Sequence, residues 1–216
     1  CPDDDVVAIG LTGQGDGAWL VDEKGVPTRP AATWLDGRAA ERVNEWVSGG
    51  KADKVLETSG TTVFGGLFPV LYEEFQESDP DVIARSATHL YCKDWLRFRL
   101  TGERLTDYTE ASRTFLNVAT MEYSRDMAEA LGMPDALRLL PPIVPSDGPG
   151  GVVTEAAAAE TGIPVGTPVG VGMIDIAVTG PGLSAVNDGE GWLILGTTGF
   201  VGALLPNAAA RRSQVS

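Results

Sequence analysis

Gly170-Val171-Gly172-Met173-Ile174-Asp175, a run of small residues through Gly182, and then Trp192-Leu193-Ile194-Leu195-Gly196-Thr197-Thr198-Gly199-Phe200 form the stretch that decides the fold of this chain. An apolar strand runs into a glycine-rich bend that delivers one carboxylate to the mouth of a helix, and a second strand ends in a Gly-Thr-Thr-Gly turn. A carboxylate can orient a hydroxyl and take its proton late in a loose transition state, while bare backbone amides and a hydroxyl receive phosphate oxygens. The pairing suits phosphoryl transfer. Each half also has a plainer reading, Asp175 as a helix N-cap and the Gly-Thr-Thr-Gly turn as the tip of a β-hairpin. The first two roles are compatible, because a helix N-terminus favours the ionised carboxylate that a base requires.

The surrounding composition narrows the class. The 216 residues, 43% of them hydrophobic, are enough for one large domain or for one domain and part of another. Sixteen Lys and Arg against 30 Asp and Glu give a formal charge of -14, the opposite of what a phosphate-backbone binder needs, so nucleic acid is not an expected partner. The acidity reads as a solvated exterior. Cys1, Cys92 and His89 stand in no metal-ligand or redox spacing, and no metal site is expected from them. The absence of any apolar run of about 18 residues, and of a signal-peptide pattern, points to no membrane and to a cytoplasmic location. The chain opens on Cys-Pro-Asp-Asp-Asp without a Met, which reads as the interior of a longer polypeptide.

Outward from the deciding stretch, residues 6 to 12 form a near-continuous apolar run, the pattern of a strand buried on both faces, ending at Gly13-Gln14-Gly15-Asp16-Gly17. Residues 18 to 22 and the Pro27 to Pro30 segment, joined by the Glu23-Lys24-Gly25 turn, predict a hairpin and hence a mixed sheet. A helix is expected from Trp34 to about Val47, and others over 51–58, 69–78, 81–84, 93–100, 126–131 and 134–139. Thr154 is the predicted N-cap of an alanine-rich helix that Gly162 and Pro164 stop. Strands mixed with helices over this length indicate an α/β or α+β fold with helices on both sides of a sheet.

Besides Asp175 and the Gly-Thr-Thr-Gly turn, two groups could carry chemistry. Gln14, Gly15 and Asp16 place polar groups at a strand end among glycines that let a ligand approach, although a tight turn between strands has the same spacing. Trp34 with Asp36 and Arg38 reads as a sugar-stacking ring beside a bidentate ion pair, or as a core Trp beside a surface salt bridge. His89, next to Leu90, reads as a partly buried structural residue.

Ile9-Gly10-Leu11-Thr12-Gly13-Gln14, Trp34-Leu35-Asp36-Gly37-Arg38, Lys93-Asp94-Trp95-Leu96 with Leu100-Thr101-Gly102-Glu103, Thr106-Asp107-Tyr108-Thr109-Glu110-Ala111-Ser112-Arg113-Thr114, the Gly172 to Asp175 bend and Leu195-Gly196-Thr197-Thr198-Gly199 follow one another in order. Together they resemble the FGGY family of carbohydrate kinases, the group of glycerol kinase, xylulokinase and ribulokinase, over nearly the whole chain. The resemblance implies an actin-like ATPase, ribonuclease-H-like α/β fold, a mixed sheet with helices on both faces, truncated at both ends. Residues 1–190 would be a sugar-binding domain without its first hairpin and phosphate loop, and 191–216 the start of an ATP-binding domain. By this likeness Asp175 is the catalytic base, Gln14, Gly15 and Asp16 touch substrate hydroxyls, and Trp34 is an aromatic wall. Ile176 follows the base, Phe200 lies at the pocket edge, and Gly196 and Thr197 meet the phosphates. Asp36, Arg38 and Asp107 rank lower, Asp107 as structural support. The implied cofactors are ATP and Mg2+ and the implied partner a small sugar or polyol, with a homodimer left open.

Departures from the family pattern bear on substrate. Members acting on ketopentoses commonly carry Met-His where Gly15-Asp16 stands, and Asn or Gln where Ile176 stands. An acidic Asp16 accepts hydrogen bonds from neighbouring hydroxyls, and Ile176 lacks an amide that would serve a carbonyl oxygen. The expected substrate is therefore a polyol such as erythritol, with xylulose or L-xylulose as the competing ketopentose and a non-catalytic sugar-binding or regulatory protein of the same fold as the alternative class. An unrelated α/β structural domain would require the order of motifs to be chance. The family's phosphate loop and most of its ATP domain lie outside these residues, so the polypeptide alone is expected to have no kinase activity.

Overall fold

Glycine and proline cut the apolar runs of this chain into short pieces, and the strands they leave are two to five residues long. The structure, a computed structural model, describes residues 6–196 and 199–206. In chain order come β1 (Thr12–Gly13), β2 (Trp19–Val21), α1 (Ala40–Ser48), α2 (Lys51–Ser59), α3 (Phe68–Ser78), α4 (Pro80–Arg85), β3 (Thr88–Leu90), α5 (Cys92–Thr101), β4 (Thr106–Asp107) and α6 (Tyr108–Ala111). Then follow β5 (Leu116–Asn117), β6 (Glu122–Tyr123), α7 (Arg125–Ala130), a 3-10 turn over Pro134–Leu139, β7 (Ile143–Val144), β8 (Pro149–Val152), α8 (Glu155–Thr161), β9 (Pro168–Gly170), β10 (Met173–Ile174), α9 (Asp175–Gly182), β11 (Gly191–Leu195) and β12 (Gly199–Ala203).

The pairing is mixed, as the pattern predicts. β1 lies parallel to β10, with Thr12 opposite Met173 and Gly13 opposite Ile174, and Ile9 extends the same direction to Val169. β4 is parallel to β7, whereas β2 with β3 and β8 with β9 are antiparallel. The expected 18–30 hairpin closes through antiparallel bridges from Val21 to Pro27 and from Ala18 to Ala32. Its turn is tied by the Asp22 carboxylate, whose Oδ1 accepts the N–H groups of Lys24 and Val26 at 2.9 Å each.

Three expectations are corrected. Residues 6–12 do not form one strand buried on both faces: only Thr12 joins a ladder, and Val7 is 83% exposed. The apolar continuity serves the side that meets residues 168–174. The helix predicted from Trp34 begins at Ala40, because the Asp36 carboxylate accepts the Arg38 N–H at 3.1 Å and holds that segment in a turn. His89 is fully buried rather than partly so. Its ring stacks on Phe68 at 3.8 Å, neither ring nitrogen has a hydrogen-bond partner among the described residues, and burial pulls its pKa down to about 3, which keeps it neutral.

The apolar interior is divided. A large cluster built on Trp46, Leu67, Phe68, Leu71, Phe75, Phe115 and Met127 joins α1 to α4 with α7, and a small one of Val153, Ala157 and Val169 lies under Ile9, Leu11 and Leu100. The interior of α5 is charged instead. Trp95, Leu96 and Phe98 suggest its apolar side, yet Leu96 is exposed and Lys93, Asp94 and Arg97 are fully buried. Lys93 Nζ lies 2.7 Å from Asp94 Oδ1 and 2.9 Å from Asp107 Oδ1, and Arg97 Nη1 lies 2.9 Å from Asp94 Oδ1. Thr106 donates to Asp94 Oδ2 at 2.7 Å, and Arg97 donates to the carbonyls of Leu105 and Val171. Burial works against every charge here, but the neighbouring carboxylates win at Lys93, whose pKa is raised. At Asp107 the Lys93 charge and the hydroxyls of Thr109 and Ser146 outweigh burial, and its pKa is lowered. A buried pair that loses one member leaves an uncompensated charge, so Lys93→Met is expected to cost about 3–5 kcal/mol in urea denaturation.

Candidate active site

The bend before Asp175 is made by packing. Gly172 has φ +79°, and a Cβ there would run into the carbonyl oxygen of Leu11, so only glycine lets β10 approach the 9–13 segment. The Ile174 N–H donates to Thr109 Oγ1 at 3.0 Å, and that hydroxyl donates to Asp107 Oδ2 at 2.7 Å. The charged interior of α5 is thus connected through Asp107 and Thr109 to the residue before Asp175. The N-cap position of α9 belongs to Ile174, with Asp175 as the first helical residue, which corrects the N-cap reading. Asp175 is exposed, and among the described residues its carboxylate accepts one hydrogen bond, from the adjacent Ile176 N–H to Oδ1 at 2.7 Å, so it is not consumed in capping later amides of α9.

Gln14, Gly15, Asp16, Trp34, Ile174, Asp175 and Ile176 line one recess of about 190 Å³. All six sequence candidates from the Gln14, Trp34 and Asp175 regions therefore meet in one place. Gly15 forms part of the wall because a Cβ there would strike Ile174 Cδ1 and come within 3.2 Å of Glu110 Oε2. Asp16 takes φ +60°, an unusual backbone for a residue with a side chain. Its carboxylate pairs with Arg113, Nε to Oδ1 at 2.8 Å and Nη2 to Oδ2 at 3.2 Å. Burial raises the Asp16 pKa above the ordinary carboxylate value although Arg113 opposes it, and the charge of Asp175 adds to the rise.

A wider cleft of about 420 Å³ adjoins the recess through Ile174 and Ile176. Phe200 lines it, 6.3 Å from Trp192, together with Thr109, Ser112 and Arg113, and Trp192 Nε1 donates to the Ile176 carbonyl at 3.1 Å. Other candidates lie elsewhere. Asp36 and Arg38 form an ion pair through one nitrogen, Nε to Oδ1 at 2.7 Å, not the bidentate pair, and neither lines the recess. Asp107 is buried in the α5 network. Gly196 is exposed just after β11, which pairs antiparallel with β12; Thr197 and Thr198 lie outside the described residues.

Thr109, Glu110 and Arg113 stand in the 106–114 motif, and the sequence alone marks none of them as a site residue. Glu110 is fully buried, and neither carboxylate oxygen has a hydrogen-bond partner among the described residues. Burial, then the charge of Asp94, pushes its pKa well above the ordinary range against the pull of Lys93, so the acid is held protonated. A folded-state pKa above the unfolded one gives stability that is present at low pH and lost as pH rises toward the folded value. Thermal melts between pH 5 and pH 8 should therefore show a smaller loss of stability on the alkaline side for Glu110→Gln than for the wild type.

Residues 1–182 match the FGGY family of carbohydrate kinases, N-terminal domain. The chain belongs to this family. Erythritol kinase of Brucella abortus (strain 2308) is 38% identical over 194 residues, covering 89% of this chain and 37% of that protein. L-xylulose/3-keto-L-gulonate kinase of Escherichia coli (strain K12) is 31% identical over 175 residues, 81% of this chain and 35% of that protein. The crystal structure of xylulose kinase from Rhodospirillum rubrum superposes with a TM-score of 0.82 at 28% identity, over 90% of this chain and 40% of that one. The FGGY chain described here thus spans less than half the length of these relatives, and it has their actin-like ATPase fold. No helix among the described residues is long and apolar enough to cross a membrane.

Proposed function

We propose that the intact protein phosphorylates a hydroxyl of a small polyol, with Asp175 as general base and residues 1–190 as the acceptor-binding domain. The observation that carries this reading is the single recess that gathers Gln14, Asp16, Trp34, Asp175 and Ile176. Gln14 offers an amide with both donor and acceptor groups, and Asp16 an acceptor for two neighbouring hydroxyls. Trp34 and Ile176 give an apolar surface to the carbon chain of the acceptor. Asp175 is exposed, so a hydroxyl seated in the recess can reach its carboxylate and lose its proton there as the new bond forms.

ATP with Mg2+ would supply the phosphoryl group and neutralise its charge. Among the described residues no group of three His, Cys, Asp or Glu side chains is arranged to hold a metal ion, and Gly196 is exposed just after β11. The nucleotide side is assigned to the domain that would begin at residue 191.

Three features favour a polyol over a ketopentose. The 38% identity to an erythritol kinase exceeds the 31% to an L-xylulose kinase. Ile176 presents no amide to a keto oxygen. Ile174 and Glu110 fill the space that a methionine at position 15 would need. In the intact protein, Asp175→Asn should lower kcat by about 10²–10⁴-fold while KM for the acceptor changes little; full turnover in this variant would remove Asp175 from the role. A panel of tetritols, pentitols and pentuloses should give the highest kcat/KM with a tetritol, and a clear preference for a pentulose would reject the polyol assignment.

A further inference from the structure

Arg113 reaches Asp16 across 97 positions of sequence and grips both carboxylate oxygens. The guanidinium is itself held: Nη1 lies 3.4 Å from Thr61 Oγ1, the cation sits 5.7 Å from the centroid of the Phe64 ring, and the Arg113 carbonyl accepts the Tyr91 hydroxyl at 3.2 Å. The pair is mostly shielded, with side-chain exposures of 23% for Arg113 and 13% for Asp16. Asp16 lines the recess and Arg113 lines the neighbouring cleft, so the pair forms part of the wall between them.

We infer that Arg113 is the positioning residue of the acceptor pocket, fixing the plane of the Asp16 carboxylate so that its remaining lone pairs face two adjacent hydroxyls of a polyol. A two-point fork sets the carboxylate orientation, which a single cation would not. Asp16 takes φ +60°, a left-handed backbone that Asp tolerates better than most residues, and the fork from Arg113 fixes the side chain that leaves it. The charge matters as much as the geometry. A protonated Asp16 would lose acceptor capacity, and burial with the nearby Asp175 drives it toward protonation while Arg113 opposes. The other titratable groups that feel Asp16 are Tyr91 and Glu110, both buried.

This inference rests on the polyol kinase reading, and the experiment separates the two. Steady-state kinetics with erythritol and ATP would be run on the intact protein from pH 5 to 9 for the wild type, Asp16→Asn, Arg113→Gln, Arg113→Lys and the Asp16→Asn/Arg113→Gln double variant, with folding verified by circular dichroism. Arg113→Gln should raise KM for erythritol about tenfold or more with kcat within about threefold, the loss of a charge-assisted two-point contact. The acid limb of the kcat/KM profile should move to higher pH, because the influence lowering the Asp16 pKa is gone. Arg113→Lys should raise KM less and leave the limb closer to the wild-type position. In the Asp16→Asn background, Arg113→Gln should add less than about twofold, since the two residues act as one unit. A KM raised by Asp16→Asn but not by either Arg113 variant would overturn this inference and leave the pocket assignment standing. An equal rise from Arg113→Gln with and without Asp16, or a rise with no movement of the acid limb, would also overturn it by making Arg113 a general support. A KM unmoved by Asp16→Asn as well would overturn the pocket itself. Should Arg113→Gln fail to fold, the Arg113→Lys profile decides: an unchanged KM there overturns the inference.

Discussion

The charges that α5 turns inward are the constraint on which the rest of the site depends. Lys93, Asp94 and Arg97 lie without solvent against Asp107, and the four charges sum to zero. Helices normally bury an apolar stripe, and this one buries polar groups that must all find partners or destabilise the fold. The partners come from separate parts of the chain: Thr106 and Asp107 on β4, Ser146 in the loop after β7, and the carbonyls of Leu105 and Val171. Satisfying one helix therefore brings the segments that flank Asp175 into register. Hydrophobic packing is non-directional and could not set that register alone.

One short stretch, 106–114, distributes the result. Asp107 closes the ion network, Thr109 passes it to the Ile174 N–H, Glu110 fills the space under Gly15, and Arg113 holds Asp16. Successive residues of a tight helical turn point in different directions, so one segment can address the network, the strand before Asp175 and the wall of the recess at once. The three acids of this region end in different states for physical reasons. Asp107 has a cation and hydroxyl donors and its pKa is lowered, Glu110 is buried without a hydrogen-bond partner among the described residues and its pKa is raised well above the ordinary value despite Lys93, and the Asp16 pKa is raised by burial against the pull of Arg113.

Periodicity located most helices within a few residues, because α2, α3, α7 and α8 carry apolar spacing with ordinary stops, and Thr154 caps α8 through its hydroxyl as its residue type predicts. It failed where side chains rather than spacing decide. The Asp36 turn delayed α1, and the charges that α5 buries have partners more than ten residues away that no local window contains. The candidate site was legible as residue types at Gln14, Asp16, Trp34, Asp175 and Ile176, each of which sits in a turn or at the mouth of a helix. Arg113 and Glu110 were not, since a glutamate on a short helix and an arginine in the turn after it read as surface residues until a distant carboxylate or a buried environment is known.

Gly15 and Ile174 occupy one shared volume: the side chain that position 15 lacks is the space that the Ile174 methyl group fills. Neither position can change size alone without overpacking the wall or opening a hole in it. A lineage that exchanges the glycine at 15 for a bulky residue would have to alter both positions together or pass through a poorly packed intermediate. The pair therefore acts as a ratchet on evolutionary change of this wall, and any redesign of the recess begins with two simultaneous substitutions rather than one.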